Sequence, residues 1–288
     1  MIAITGANGN LGRLAVQELR DRIPADQIVA LVRSPEKALD LLAMGVQVRE
    51  ADYDRPETLV EALEGVEKVL LVSAVVPGKR LGQHKAVIDA AMQVGVRLIA
   101  YTSMLRAETS ALALAKEHWE TEQYLKNSGL EFVLLRNGWY LENDTEALSA
   151  ALAQGAIIGS SGDGRFSSAS RADYAAAAIA VLTQPGHEGK IYELAGDQSF
   201  AMHELAAEVS KQAGQAIVYK NLSATDFAAV LRNVGLPEMI VDVVVDASVK
   251  AAQGELESAS RDLARLIGRS TVSVAEAIRG ALQGRLQA

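Results

Sequence analysis

Six short apolar runs in the first half of the chain, each followed by a stretch of helical periodicity, restrict the fold more than any other feature. Ile2 to Thr5, Ile28 to Val32, Val46 to Val48, Val69 to Ala74, Leu98 to Thr102 and Phe132 to Leu135 are rich in Ile, Val and Leu, so they read as strands buried on both faces. Between them Leu11, Leu14, Ala15 and Leu19 keep one apolar face, and Leu59, Ala62 and Leu63 keep another after Pro56, a residue suited to a first helical turn. Val87, Ala91 and Val94 repeat the pattern, and Gly95 ends it. Strand, helix and strand in this succession close as right-handed crossovers onto a parallel sheet. The expected fold class is α/β, a doubly wound parallel sheet.

The second half is less regular. Gly155 to Gly164 reads as a loop around a short Ala156 to Ile158 strand, followed by a strongly helical Asp173 to Leu182. Met202 to Ala213, Thr225 to Val234 and Val274 to Leu282 look amphipathic, and Ser273 with Glu276 fits a capping box. Ile191 to Leu194 is a strand of uncertain place. With no repeat and no Pro-rich linker, the boundary is soft: residues 1–145 form the expected large domain, and 146–288 a smaller, mostly helical substrate domain, with some segments returning to the large one.

Charge and composition narrow the classes of function. Lys and Arg number 28 against 36 Asp and Glu, a formal net charge of −8 with no basic block, so a phosphate-backbone partner has no electrostatic footprint and no nucleic-acid binding is expected. Cysteine is absent, which removes disulfide, thiolate and iron–sulfur chemistry and suits a reducing, cytoplasmic setting. The opening reads as a strand and loop rather than a secretory leader. No apolar run approaches the roughly 20 residues that cross a bilayer.

The chemical signal is the glycine turn after the first strand, Gly6-Ala7-Asn8-Gly9-Asn10-Leu11-Gly12. A diphosphate needs backbone N–H groups without side chains in the way and the positive end of a helix dipole. Gly6 can turn off the strand, Gly9 can let a ligand approach, and Gly12 can let helix and strand pack closely, although the spacing differs from G-x-G-x-x-G. Flanked by strand and helix, the turn reads as a Rossmann-like dinucleotide site. The second strand ends in Arg33-Ser34-Pro35-Glu36-Lys37 with no acid at its tip, where an NAD site usually has one. A guanidinium there can fork onto a 2′-phosphate, which favours NADP(H); a solvated strand-end charge describes Arg33 as well. Asp52 either contacts the adenine or caps the helix that begins at Pro56. Ser73 to Pro77 must pass the carboxyl edge of the sheet.

The segments TGANGNLG, VRSPEK, EADYDRPETL, AYTSML, LLRNGWYLEN and GHEGKIYELAG together resemble the NmrA-like branch of the atypical short-chain dehydrogenases, and within it the bacterial quinone and triphenylmethane-dye reductases. The resemblance runs along essentially the whole chain. It implies an NADPH-dependent reductase that passes hydride directly to a quinone or similar electron-poor, dye-like ring, with cofactor contacts at Gly6 to Leu11, Arg33, Ser73, Ala74, Val75, Asn137, Gly138, Trp139, Tyr140, Asn143 and Arg171. It leaves monomer and homodimer open. Some NmrA-like proteins are redox sensors without turnover, the alternative reading here.

Ordinary short-chain dehydrogenases carry Tyr-x-x-x-Lys, whose lysine lowers the tyrosine pKa for proton transfer. None of Tyr53, Tyr101, Tyr124, Tyr140, Tyr174, Tyr192 and Tyr219 is followed four residues on by lysine. At the corresponding place stand His118 and Glu122, on one helical face. The pair reads either as a carboxylate that raises the histidine pKa to make a proton donor, or as a helix-stabilising contact. Lys116 and Ser103 are weaker candidates, Ser103 at the place of the usual dehydrogenase serine. A quinone tolerates the missing relay, because charge delocalises onto oxygen and a proton can follow; a dry pocket that stacks the rings is what remains to be supplied. Trp139, Tyr140 and Phe166 are candidate pocket walls, or core aromatics. The four histidines lack metal-ligand spacing, so no metal is expected. No G-x-S-x-G elbow occurs.

Overall fold

The computed structural model describes residues 1–284, so residues 285–288 of the expected second domain lie outside the described residues. Its strands are β1 (Ile2–Ile4), β2 (Ile28–Val32), β3 (Gln47–Glu50), β4 (Lys68–Leu71), β5 (Leu98–Met104), β6 (Glu131–Asn137), β7 (Ala156–Gly159), β8 (Arg165–Phe166), β9 (Ile191–Leu194), β10 (Phe200–Ala201) and β11 (Val218–Asn221). Its helices are α1 (Asn10–Arg20), α2 (Leu39–Ala43), α3 (Pro56–Ala62), α4 (Arg80–Val94), α5 (Ala115–Lys126), α6 (Leu141–Thr145), α7 (Leu148–Gln154), α8 (Arg171–Thr183), α9 (Met202–Ala213), α10 (Ala224–Asn233), α11 (Glu238–Ala251), α12 (Asp262–Ile267) and α13 (Val274–Leu282).

Seven strands form one parallel sheet in the order β3-β2-β1-β4-β5-β6-β9. The doubly wound α/β expectation holds. The strand order reverses at β1, between β2 and β4, so the crevice where such sheets receive ligands opens above the carboxyl ends of β1 and β4. Both faces are covered. On one, Ile4, Ala30 and Leu70 pack with Ala15, Val16 and Leu19 of α1, Ala177 and Ala178 of α8 and Leu263 of α12; on the other, Val29, Leu31 and Val69 pack with Leu59, Val87, Ile88 and Leu125.

The uncertain Ile191–Leu194 strand is β9, paired in parallel with β6. Helix α8 is buried on every side from Asp173 to Leu182. Its run of alanines is what fits between the sheet, α1 and α12, since small side chains let helices approach closely from several sides at once. A third core is formed by Leu141, Leu148, Phe200, Met202, Leu205, Val209, Ala247, Ala251 and Ile278. Two two-stranded ribbons accompany it, β7 with β11 parallel and β8 with β10 antiparallel. The capping box forms as expected: Ser273 N–H donates to Glu276 Oε2 at 2.9 Å and Glu276 N–H to Ser273 Oγ at 3.2 Å.

One boundary differs for a physical reason. The fourth strand was expected through Ala74 but ends at Leu71. The next three N–H groups leave the ladder for side chains: Val72 N–H donates to Thr5 Oγ1 (3.0 Å), Ser73 N–H to Thr102 Oγ1 (2.8 Å) and Ala74 N–H to His84 Nε2 (2.9 Å). Apolar character alone does not distinguish a ladder bond from a side-chain bond. Among the described residues no helix is long and apolar enough to cross a membrane.

Candidate active site

The glycine turn stands at the reversal point of the sheet. Gly6 leaves β1 with a φ of +59°, in the left-handed region that glycine adopts without strain. Ala7 N–H bonds Leu31 O at 3.1 Å and Gly9 N–H bonds Gly6 O at 2.8 Å, which closes the turn. A Cβ on Gly12 would stand 2.3 Å from Gly6 O, so α1 starts directly against the strand end. Gly9 is the N-cap of α1, offers no side chain to the first-turn N–H groups, and no acidic residue stands in that turn. The positive end of the helix dipole therefore faces the crevice without a protein counter-charge. Arg13 Nη2 holds Asn8 Oδ1 at 3.2 Å, and the Arg13 guanidinium also contacts Asp40. Beneath the turn the Tyr53 hydroxyl bonds Thr5 Oγ1, and it donates to Val72 O at 3.1 Å, which ties the ends of β1 and β4 together.

Arg33 follows directly on β2 with its side chain exposed, and it makes no hydrogen bond or ion pair among the described residues. Asp52 does not cap α3. The N-cap is Arg55, and Asp52 Oδ1 instead accepts Asp54 N–H at 3.0 Å while Oδ2 meets Arg55. The reason is spacing: three residues separate Asp52 from the first turn at Pro56, and its oxygen is used by the loop's own N–H.

Ser73, Ala74 and Val75 cross the carboxyl edge beside the turn, and Val75 is 81% exposed. On the far side of the crevice, Asn137 ends β6 at 7% exposure with its Oδ1 unpartnered among the described residues, while its Nδ2 reaches Tyr140 Oη at 3.5 Å. Gly138 is hemmed in by Leu105 and the Tyr174 hydroxyl, at 3.0 and 3.1 Å from a notional Cβ. Arg171 lies over the Tyr140 ring, 5.2 Å from its centre, and holds Asn143 Oδ1 at 3.1 Å and Glu146 Oε1 at 2.7 Å. Trp139 leans on the third core, and Phe166 is buried against Phe200, so Phe166 is an aromatic of that core and not a pocket wall. Burial pushes the Asp144 carboxyl, one turn beyond Tyr140, up to about 7.

The expected His118–Glu122 pair does not form. Glu122, fully buried, accepts two bonds from Arg136, at 2.9 and 2.7 Å, and one from the Ser103 hydroxyl at 2.6 Å. Burial works against the Arg136 charge, but bonds to Glu122, Glu193 and Glu108 outweigh it and hold the guanidinium protonated beyond its ordinary range. Ser103 thus gives its proton to Glu122, which suits a structural tie better than a dehydrogenase serine. His118 bonds the Tyr101 hydroxyl through Nδ1 at 2.7 Å instead. Its pKa lies well below the usual value, first because of burial and then because of the Arg80 charge. The expectation that Glu122 raises the His118 pKa is therefore overturned; Arg136, on the neighbouring strand, takes the carboxylate.

The residues that pin the Ser73 to Gly78 loop, His84, Arg80 and Glu117, were not singled out from the sequence as site residues. A lone histidine and an arginine on α4 carry no spacing signal, because their partners are the backbone of Ala74 and side chains of α5, more than 30 residues on. Among the described residues no three His, Asp or Glu side chains come together as a metal cluster.

Three comparisons bear on the site. The NAD(P)H-binding family model matches residues 6–185. Quinone oxidoreductase 2 of Escherichia coli (strain K12) is 52% identical over 96% of this chain and 97% of that protein. In structure, the chain is similar to the NADPH complex of the Escherichia coli NADPH-dependent quinone oxidoreductase, with a TM-score of 0.95 at 51% identity over 98% of this chain and all of that one. It is also similar to the Citrobacter sp. triphenylmethane reductase complexed with NADP(H), with a TM-score of 0.94 at 37% identity over 98% of this chain and all of that one.

Proposed function

This chain belongs to the NAD(P)H-binding family, within its NmrA-like quinone and dye reductases, and on that premise we infer how its residues serve an NADPH-dependent quinone reductase. The observation that carries the reading is an uncapped, acid-free helix start beside Arg33, which has no partner among the described residues, in a fold that matches an NADPH-bound quinone reductase over its full length. The donors fit the cofactor: the backbone N–H groups of Asn8 and of Asn10 to Gly12 at the helix start for the diphosphate, with those of Ala7 and Gly9 closing the turn, and Arg33 for the 2′-phosphate. Asp52 borders the adenine end. Ser73, Ala74 and Val75 and the segment Asn137, Gly138, Trp139, Tyr140 and Asn143 with Arg171 border the nicotinamide end, where the orphaned Asn137 Oδ1 can accept a carboxamide N–H.

When bound, NADPH supplies the hydride. The chain orients and shields. Val75 and the half-buried Trp139 and Tyr140 offer apolar surface against which a flat quinone can lie while water is excluded. His118 is neutral at physiological pH and its Nδ1 is committed to Tyr101, and the Ser103 proton is committed to Glu122. We assign His118, Ser103 and Glu122 to holding α5 against β5 and β6, and the hydroquinone oxygen takes its proton from water. The acceptor is a small-molecule quinone or related dye, and the setting is the cytoplasm. The test is NADPH oxidation with a panel of quinones, followed by absorbance. Turnover supports the reading; tight NADPH binding with no oxidation by any quinone would overturn it.

A further inference from the structure

We propose that His84 and Arg80 are positioning residues for hydride transfer: from one face of α4 they grip both backbone polar groups of Ala74 and so hold Val75 as a fixed wall beside the nicotinamide. The proposal rests on the reading that residues 73–75 border that ring.

The two side chains are one helical turn apart, at i and i+4, and therefore point the same way. Ala74 N–H donates to His84 Nε2 at 2.9 Å, and Ala74 O accepts from Arg80 Nε at 2.8 Å. One residue is thus held by α4 through both of its backbone polar groups, which fixes two successive peptide units, the second of them leading into Val75. The grip is itself braced from α5. Arg80 Nη1 meets Glu117 Oε2 at 2.9 Å, and Glu117 Oε1 accepts Gly78 N–H at 2.8 Å, so one carboxylate fixes both the arginine and the far end of the loop.

Thr121 settles the histidine tautomer. Its hydroxyl donates to Glu117 O at 2.8 Å, which leaves it only lone pairs for His84 Nδ1 at 3.0 Å. Nδ1 must carry the proton, and Nε2 is the bare acceptor that Ala74 requires. Burial, assisted by the Arg80 charge, pushes the His84 pKa down to about 3, so the grip stays closed at any pH at which a reductase is assayed.

The loop gains little core packing from this arrangement. Arg80 and His84 are 4% and 0% exposed, yet Val75, the next residue after the gripped Ala74, stands 81% exposed. An immobilised peptide that holds a branched apolar side chain out of the core is suited to cover something that lies on it.

Two substitutions at one position separate grip from packing. His84→Asn keeps a polar group at the Nδ1 place, facing Thr121, and loses the acceptor for Ala74. His84→Gln reaches far enough to put an amide oxygen at the Nε2 place. The asparagine variant should lower kcat about tenfold, the scale of one buried N–H left without a partner. NADPH affinity should change less than about twofold, because the phosphate contacts carry it. The hydride-transfer isotope effect with deuterated NADPH should rise, and the glutamine variant should recover kcat to within about threefold of wild type. Equal kcat in the two variants, or a loss seen only in thermal unfolding, overturns the proposal. Val75→Gly alters an exposed position and does not depend on refolding the core; it should lower kcat several-fold, and an unchanged kcat overturns the proposal independently. Should the wild-type protein oxidise no NADPH with any quinone, the reductase reading itself fails, a result distinct from any pattern among the variants.

Discussion

Two polar assemblies lie near the carboxyl edge of the sheet and are built on opposite principles. Around α5 the carboxylate of Glu122 is enclosed by Arg136 and Ser103, and Arg136 goes on to Glu193 and Glu108, so the charges are used up inside the protein. At the start of α1 the helix has no side-chain cap and no acid in its first turn, and Arg33 has no partner among the described residues. The first region is finished without a ligand; the second presents positive groups that only an anion completes. The difference teaches that chemistry-bearing residue types locate a site less well than unmet hydrogen-bonding demand does. Both regions hold charge, and one of them exposes it for use.

The comparison breaks most visibly at Glu122. Glu122→Gln removes the buried countercharge of Arg136, and stability in denaturant unfolding should fall by about 3 kcal/mol. NADPH affinity of the folded fraction should stay within about twofold, since no phosphate donor is touched. A large affinity loss in folded protein would show that the closed cluster reaches the cofactor.

At the open region the effects should reverse. Arg33→Ala should leave unfolding within about 0.5 kcal/mol of wild type and weaken NADPH binding by about 2 kcal/mol, roughly thirtyfold, with NADH nearly unaffected. Calorimetry with both coenzymes reads this directly, and equal losses for the two would remove the 2′-phosphate role. Gly9→Ala should be smaller again. Gly9 has a φ of −78°, which alanine adopts freely, and its Cβ would sit 3.2 Å from Gly6 O. Stability should drop by less than about 1 kcal/mol, and NADPH affinity about tenfold, because the methyl group enters the phosphate approach. A stability loss with no affinity loss would move the diphosphate elsewhere.

These contrasts track what the sequence made legible. Buried strands such as Ile28–Val32 appear as apolar runs because both faces of a parallel sheet are covered, Gly6 appears because its backbone takes the left-handed region, and Gly12 because backbone crowding leaves no room for a Cβ. The partner of Glu122 did not appear. His118 at i−4 is near in sequence, but Arg136 comes from the adjacent strand, and pairing across a sheet leaves no local period. The placement of Ile191–Leu194 was hidden in the same way, as its neighbour β6 lies far back along the chain. The loop after β4 read as strand because its N–H groups leave the ladder for Thr102 and His84, which an apolar run does not reveal.

The smallest effect on activity is expected at His118, where the sequence pointed most directly to catalysis. His118→Asn keeps a hydrogen-bonding partner for the Tyr101 hydroxyl, and kcat should fall less than about threefold. The pH dependence of stability is the sharper reading. The folded pKa of His118 lies well below the ordinary 6.5, so below pH 6.5 the unfolded chain binds a proton that the folded one refuses. The associated stability is complete above that pH and is lost as pH falls toward the folded value. The asparagine variant should lose less stability on acidification, by up to about 1.4 kcal/mol per pH unit in that window. Some acid sensitivity should persist from His84, whose window runs from 6.5 down to about 3. Asp144 has the opposite sign, because its pKa is raised from 3.8 to about 7 and its share of stability is lost as pH rises through that value. If instead kcat fell more than tenfold and a titration near neutrality vanished from the rate profile, His118 would be the proton donor, and the closed region would belong to the chemistry after all.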